Sequence, residues 1–159
     1  MSDFPVTGYE ASFEPAMRAA LVEAAAAQAT ADVPVGAVVL DAAGTAVAAG
    51  RNRREADGDP TAHAEIVASR AAARAVGGWR LDGHTLVVTL EPCTMCAGAI
   101  TAARLSRLVY GAADLRAGAV GSLWDVVRDQ RLTPPPEVVP GVLAADCMNV
   151  IRRFFSEHR

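Results

Sequence analysis

His63-Ala64-Glu65 and Pro92-Cys93-Thr94-Met95-Cys96 are the two stretches of this chain whose residue types could do chemistry. Cysteines three apart on a helix lie on one face, so both sulfurs can reach one metal ion. The positive end of a helix dipole also favours the thiolate form that a zinc ligand needs. One imidazole nitrogen from His63 completes three protein ligands and leaves a tetrahedral position open for water, the pattern of a catalytic rather than a structural zinc. Zinc lowers the pKa of a bound water from about 15.7 to about 7, and a base must then handle the proton. Glu65, two residues after the histidine, cannot share its direction closely, which suits a carboxylate placed beside the water and not on the metal. No fourth ligand is evident: His84 opens a predicted strand, Cys147 lies in the last predicted helix and His158 stands near the end of the sequence.

Each motif also has a plainer reading. Cys-x-x-Cys alone is equally a redox pair or half of a zinc knuckle, and His-x-Glu alone carries almost no information. A non-catalytic zinc protein and a Cys-x-x-Cys redox protein therefore stand beside the enzyme as rival readings, although neither gives Glu65 a task. The redox reading is the weaker, because the interior Thr94-Met95 has no glycine-proline character and a second ligand motif precedes it.

The elements that must hold these motifs follow from periodicity. Residues 15–29, with Met17 and Leu21 among alanines, predict a packing helix. Two short strands joined by a turn at Asp41-Ala-Ala-Gly44 predict a hairpin over 35–50, and the polar stretch 51–60 an exposed loop. A second helix is predicted over 62–76, ended by Gly77-Gly78, then a strand over 84–91 and a third helix from Thr94 to Ala103. Leu105 to Tyr110 predicts a strand, 111–122 a glycine-punctuated loop, 123–127 a helical turn, 138–139 a last strand and 144–155 a last helix. Alternating elements of this length imply an α/β layer fold with a largely parallel part. Trp79, Trp124, Met95 and Cys147 read as core or dimer-interface residues.

Composition narrows the classes further. With 159 residues, 52% hydrophobic and 21% charged, the chain is sized for one domain over 1–159 and is not a disordered polymer. The apolar runs are too short for a membrane span, and the start, Met1-Ser2-Asp3-Phe4-Pro5, lacks the basic and apolar regions of a secretory signal, so a cytoplasmic protein is expected. Three cysteines do not make a disulfide framework. A net charge of −3 weighs against indiscriminate coating of nucleic acid; all fifteen basic residues are arginine, which reads first as base-composition bias.

Taken together, these segments resemble the zinc-dependent nucleobase deaminases, and within them the bacterial tRNA-specific adenosine deaminases. The likeness runs from about Val33 to Phe155 and is carried by Asp32-Val-Pro-Val-Gly-Ala-Val, Arg51-Asn52-Arg53, Asp59-Pro-Thr-Ala-His-Ala-Glu-Ile, Leu90-Glu-Pro-Cys-Thr-Met-Cys-Ala-Gly-Ala and Gly118-Ala-Val-Gly-Ser-Leu. The resemblance implies a three-layer α/β/α cytidine deaminase-like fold with a mixed five-stranded sheet. It implies hydrolytic deamination of the wobble adenosine to inosine in a tRNA, typically an arginine tRNA, by a homodimer holding one Zn2+ per subunit, with an anticodon stem-loop and not DNA as partner. Residue by residue, it puts His63, Cys93 and Cys96 on the zinc and makes Glu65 the proton shuttle. Asn52 falls on the side chain that hydrogen-bonds the flipped base, the backbone N–H groups of Ala64 and Cys93 on the groups that hold base edge and attacked centre, and Val35 on an apolar pocket wall. Asp114 matches a contact to the sugar of the target nucleotide and Phe155 an aromatic near the anticodon loop. An anticodon loop is single-stranded, so extruding a base from it costs only about a few kcal/mol. Arg116 and Ala117 stand where relatives often carry lysine and threonine, and a lysine-rich tail is not seen, which thins the positive charge for phosphate. A deaminase of a free base or nucleoside such as guanine or cytosine keeps the same metal site and is the nearest alternative.

Overall fold

The computed structural model describes residues 7–132 and 134–158. A one-turn helix α1 (Gly8–Ala11), closed by a Thr7/Glu10 capping box, leads into α2 (Glu14–Ala27). The hairpin β1 (Gly36–Leu40) and β2 (Ala46–Arg51) follows, then a second one-turn helix α3 (Arg54–Asp57) and the long α4 (Ala64–Val76). The chain continues through β3 (Thr85–Leu90), α5 (Thr94–Ala102), β4 (Arg107–Ala112), β5 (Glu137–Val139) and α6 (Ala144–Glu157).

The five strands form one mixed sheet in the order β2-β1-β3-β4-β5, with β1 antiparallel to both neighbours and β3, β4 and β5 parallel. Both faces are covered, which is why the central strands read as unbroken apolar runs. Ala37, Val39, Leu86, Val88 and Leu108 point to the face covered by α4 and α5, where Ala64, Ala68, Ala72, Ala97 and Ile100 meet them. Val38, Leu40, Val87 and Val109 point to the other, against Met17 and Ala20 of α2 and Cys147 of α6. The alanines of α2 and α4 recur at helical spacing because the helices lie close on the sheet. At Gly36 the approach is closest: a Cβ there would collide with the carbonyl oxygen of Ala20 in α2.

The registers bring one set of strand ends to a single edge of the sheet. The start of β1 lies beside the end of β2 (Gly36 opposite Arg51) and near the end of β3 (Ala37 opposite Val88), and β3 ends level with β4 (Leu90 opposite Ala112). Val35, Asn52, Glu91 and Ala113, each next to one of these strand ends, therefore gather on that edge.

Three readings of the sequence are corrected and a fourth is narrowed. The loop 51–60 contains α3, whose first N–H groups are held by the carboxylate of Asp32, a long-range partner that local pattern does not reveal. The fourth strand runs two residues past Tyr110, because Gly111 is not a loop residue: α6 comes so near that a Cβ at this position would strike Cys147. Residues 123–127 form no helical turn; the N–H groups of Leu123 and Trp124 go to Gly118 and that of Val126 to Ala119, with a bridge between Val120 and Asp125. Of the residues read as core or dimer interface, Trp79 and Trp124 lie exposed and so outside the core of the chain, whereas Cys147 is buried.

Candidate active site

His63 and Cys93 are each the residue that begins a helix, α4 and α5, with extended backbone angles, and Cys96 follows one turn into α5. The two helix starts converge on the sheet face at the edge just described. His63 Nδ1 stands 3.7 Å from Cys93 Sγ and 3.5 Å from Cys96 Sγ, and the ligand atoms of the three lie within 4.8 Å of one another. A tetrahedral zinc with bonds of about 2.3 Å to sulfur and about 2.0–2.1 Å to nitrogen needs sulfur-to-nitrogen edges of about 3.6 Å. Both separations meet that requirement, so the trio fits zinc. No other cluster of three such residues occurs among the described residues, and His84, Cys147 and His158 stay away from this one.

Electrostatics at the trio follow from crowding. The hydrogen bond between the two thiols, joined by the imidazole of His63, pushes Cys93 down to about 3 and pushes Cys96 up. The same Cys93 contact raises His63. Glu65, on the first turn of α4, is only 5% exposed, and burial pushes its carboxyl up to about 7 against the opposing pull of its own backbone N–H and His63. It sits against Cys96 without joining the ligand cluster.

Asn52, buried just after β2, joins two segments: its Oδ1 accepts the Ala64 N–H at 2.9 Å, and its Nδ2 donates to the Val33 carbonyl at 3.0 Å. The Ala64 N–H, which sequence reading assigned to a base edge, is thereby taken up inside the chain. Asn52 keeps one amide hydrogen free of these bonds. Val35 is buried directly before β1, and its own carbonyl accepts the Asn52 N–H.

A groove of about 770 Å³ is lined among others by Val33, Leu90, Asp114, Leu115, Arg116 and Phe155; the trio does not line it, and it meets the site through Val33, which Asn52 bonds, and Leu90, which precedes Glu91. Two of the expected substrate contacts, Asp114 and Phe155, thus share one wall system, although they are 41 residues apart in sequence. Phe154 and Phe155 part company: the first is buried, while the second is 46% exposed. Asp114 caps its own turn by accepting the N–H groups of Arg116 at 3.0 Å and Ala117 at 3.2 Å.

Two buried carboxylates at this edge escaped the sequence reading. Asp32 accepts from the Thr30 hydroxyl and the Glu55 and Ala56 N–H groups, fixing α3 beside Asn52. Glu91 accepts from the N–H groups of Asp114, Val120 and Ser122 and from the Ser122 hydroxyl. Burial pushes the Glu91 carboxyl up, but these four donors outweigh it and hold the group below the usual carboxylate range. The available signal was an acid ending an apolar strand immediately before Pro92-Cys93.

Known proteins resemble the chain along most of its length. It is 46% identical over 146 residues to the tRNA-specific adenosine deaminase of Haemophilus influenzae, which spans 92% of this chain and 84% of that protein. A solved tRNA:A34 deaminase, studied for A-to-I editing at the wobble position, superposes with a TM-score of 0.82 at 43% identity, covering 86% of this chain and 98% of its own. The guanine deaminase of Nitrosomonas europaea superposes with a TM-score of 0.75 at 27% identity, covering 90% and 84%. Residues 11–112, which contain the trio and Glu65, match the family described as the cytidine and deoxycytidylate deaminase zinc-binding region. The chain belongs to that zinc-binding deaminase family.

Proposed function

We propose that this protein converts the wobble adenosine of a tRNA to inosine by hydrolysis, with His63, Cys93 and Cys96 holding one zinc ion. The observation that carries the reading is the pairing of a three-ligand site and a buried acid with an open groove of apolar and cationic walls. Zinc bound there supplies Lewis acidity that makes a water nucleophilic near neutral pH. Glu65 moves the protons: it takes one from the attacking water and delivers it to a purine ring nitrogen, then takes the remaining proton of the added hydroxyl and passes it to the departing amine. Adenosine and water thus give inosine and ammonia. A carboxyl raised toward 7 can serve as base and then as acid in one cycle.

The groove supports a polynucleotide in place of a free base. Phe155 and Leu115, the latter 78% exposed, offer surfaces on which splayed bases can stack. Arg116 and Arg152 line the same groove, and neither is among the ion pairs of the described residues, which leaves both for phosphate. Asp114 is assigned to the sugar of the target nucleotide, Val35 to the wall behind the base and the remaining Asn52 amide hydrogen to the base itself. No helix among the described residues is long and apolar enough to cross a membrane. The reading extends to an arginine tRNA as substrate, a cytoplasmic location and a homodimer, for which the exposed Leu123 and Trp124 offer apolar surface.

Inosine formation in a wobble-adenosine arginine tRNA stem-loop, with free adenosine, guanine and cytosine in parallel, tests the reading. Inosine in the RNA alone supports it. Turnover of a small substrate alone assigns the groove residues another task and makes the protein a free-base or nucleoside deaminase.

A further inference from the structure

We propose that Glu91 is a positioning residue of this site: its buried carboxylate is the template on which the segment 113–122 is wound, and it sets where Asp114, Leu115 and Arg116 stand at the groove. The inference rests on the deaminase reading above and deepens it.

Glu91 is 2% exposed and belongs to no ion pair among the described residues. A carboxylate buried without a countercharge must be satisfied by dipolar donors. Here every donor comes from one segment. Oε2 takes the Asp114 N–H at 2.9 Å and the Ser122 hydroxyl, and Oε1 takes the Val120 and Ser122 N–H groups at 3.0 Å each. That segment has no helix of its own and a single bridge, Val120 to Asp125, so its course depends on bonds to something outside it. There is no slack in the winding: a Cβ on Gly118 would run into the Glu91 carboxyl carbon and the Asp114 carbonyl.

The anchor also ties two functions together. Pro92, the next residue, accepts the Ala119 N–H at 2.8 Å, and the residue after that is the ligand Cys93. Three consecutive residues therefore carry the loop's carboxylate, a further loop bond and the first sulfur. Asp114, held by its N–H, passes the placement on by capping the turn that presents Arg116. Glu91 thus fixes the distance between the zinc ligands and the groove wall without touching substrate.

The test compares wild type with E91Q, S122A and G118A, each zinc-loaded. It measures zinc content, inosine formation in the stem-loop and amide hydrogen exchange over 113–122. Glutamine keeps the shape but turns an NH2 group toward N–H donors, so E91Q is expected to raise KM about tenfold or more while kcat changes less than about threefold. Exchange over 113–122 quickens and zinc content stays at one per chain. S122A, which removes one donor of four, raises KM by about two- to fivefold. G118A displaces the loop with the carboxylate intact, and raises KM as E91Q does. Wild-type KM and exchange in E91Q, or a loss confined to kcat, overturns the proposal; should E91Q fail to fold or to hold zinc, unchanged KM and exchange in both S122A and G118A overturns it. Absence of inosine with the wild-type chain would instead refute the RNA reading, and the exchange data would still decide whether Glu91 holds the loop.

Discussion

Replacing Asn52 by alanine separates what this side chain does for the fold from what it does for a substrate. The substitution removes the acceptor of the Ala64 N–H and the donor to the Val33 carbonyl in one step. Ala64 is fully buried, so its N–H stays unpaired, at a cost of about 1–3 kcal/mol. Val33 is only partly buried, and water can rehydrate its carbonyl, which adds about 1 kcal/mol at most. The sum is about 1–4 kcal/mol, and for a chain of this size each kcal/mol lowers Tm by about 2–4 °C, so N52A is expected to melt about 2–16 °C below wild type. Thermal unfolding followed by circular dichroism at equal protein and saturating zinc checks this, since bound metal itself shifts Tm. A Tm within about 1 °C of wild type, together with lost activity, would refute the bracing role and leave Asn52 a substrate contact only.

Three other outcomes are expected. E65Q keeps the trio intact, so zinc content is unchanged while kcat for inosine formation falls by about 10²–10⁴-fold; retained turnover would remove Glu65 from proton transfer. Burial pushes the Asp32 carboxyl up, but the Thr30 hydroxyl and the Glu55 and Ala56 N–H groups hold it below its ordinary value. A group depressed on folding contributes stability above its unfolded pKa and loses it as pH falls through the folded value, so Tm plotted against pH drops more steeply below about pH 4 in wild type than in D32N. Parallel acid limbs for the two proteins would contradict this. G36A drives a Cβ into the Ala20 carbonyl and lifts α2 off β1, with an expected loss of about 1–3 kcal/mol read as a lower urea midpoint at unchanged m-value; an unmoved midpoint would show that the helix yields freely.

What could be read from the sequence was whatever local spacing encodes. The ligand trio was legible because each motif opens a helix, and the sheet because its central strands are continuously apolar. The split between Phe154 and Phe155 was not, since one residue of helical phase separates core from groove. Neither were the tasks of Asp32 and Glu91. Their partners are backbone N–H groups 23 to 31 residues away, and a backbone donor has no side chain to announce it. The false helical turn at 123–127 has the same origin: N–H groups that a local pattern would place in a helix are claimed by the carbonyls of Gly118 and Ala119.

The metal ligands and the groove residues come from different segments of the frame, joined at Glu91-Pro92-Cys93 and at the Asn52–Ala64 bond. His63, Cys93 and Cys96 belong to the starts of α4 and α5, whereas the residues assigned to substrate come from the segment entering β1, from segments leaving β2 and β4 that are each braced by a buried carboxylate, and from α6. Such a frame is heritable in pieces. A loop can be lengthened, recharged or reshaped around its brace while the coordination geometry stays put, so descendants can diverge in diet without reinventing their chemistry. A guanine deaminase superposes on this chain with the same architecture, an outcome that such a division into joined segments permits.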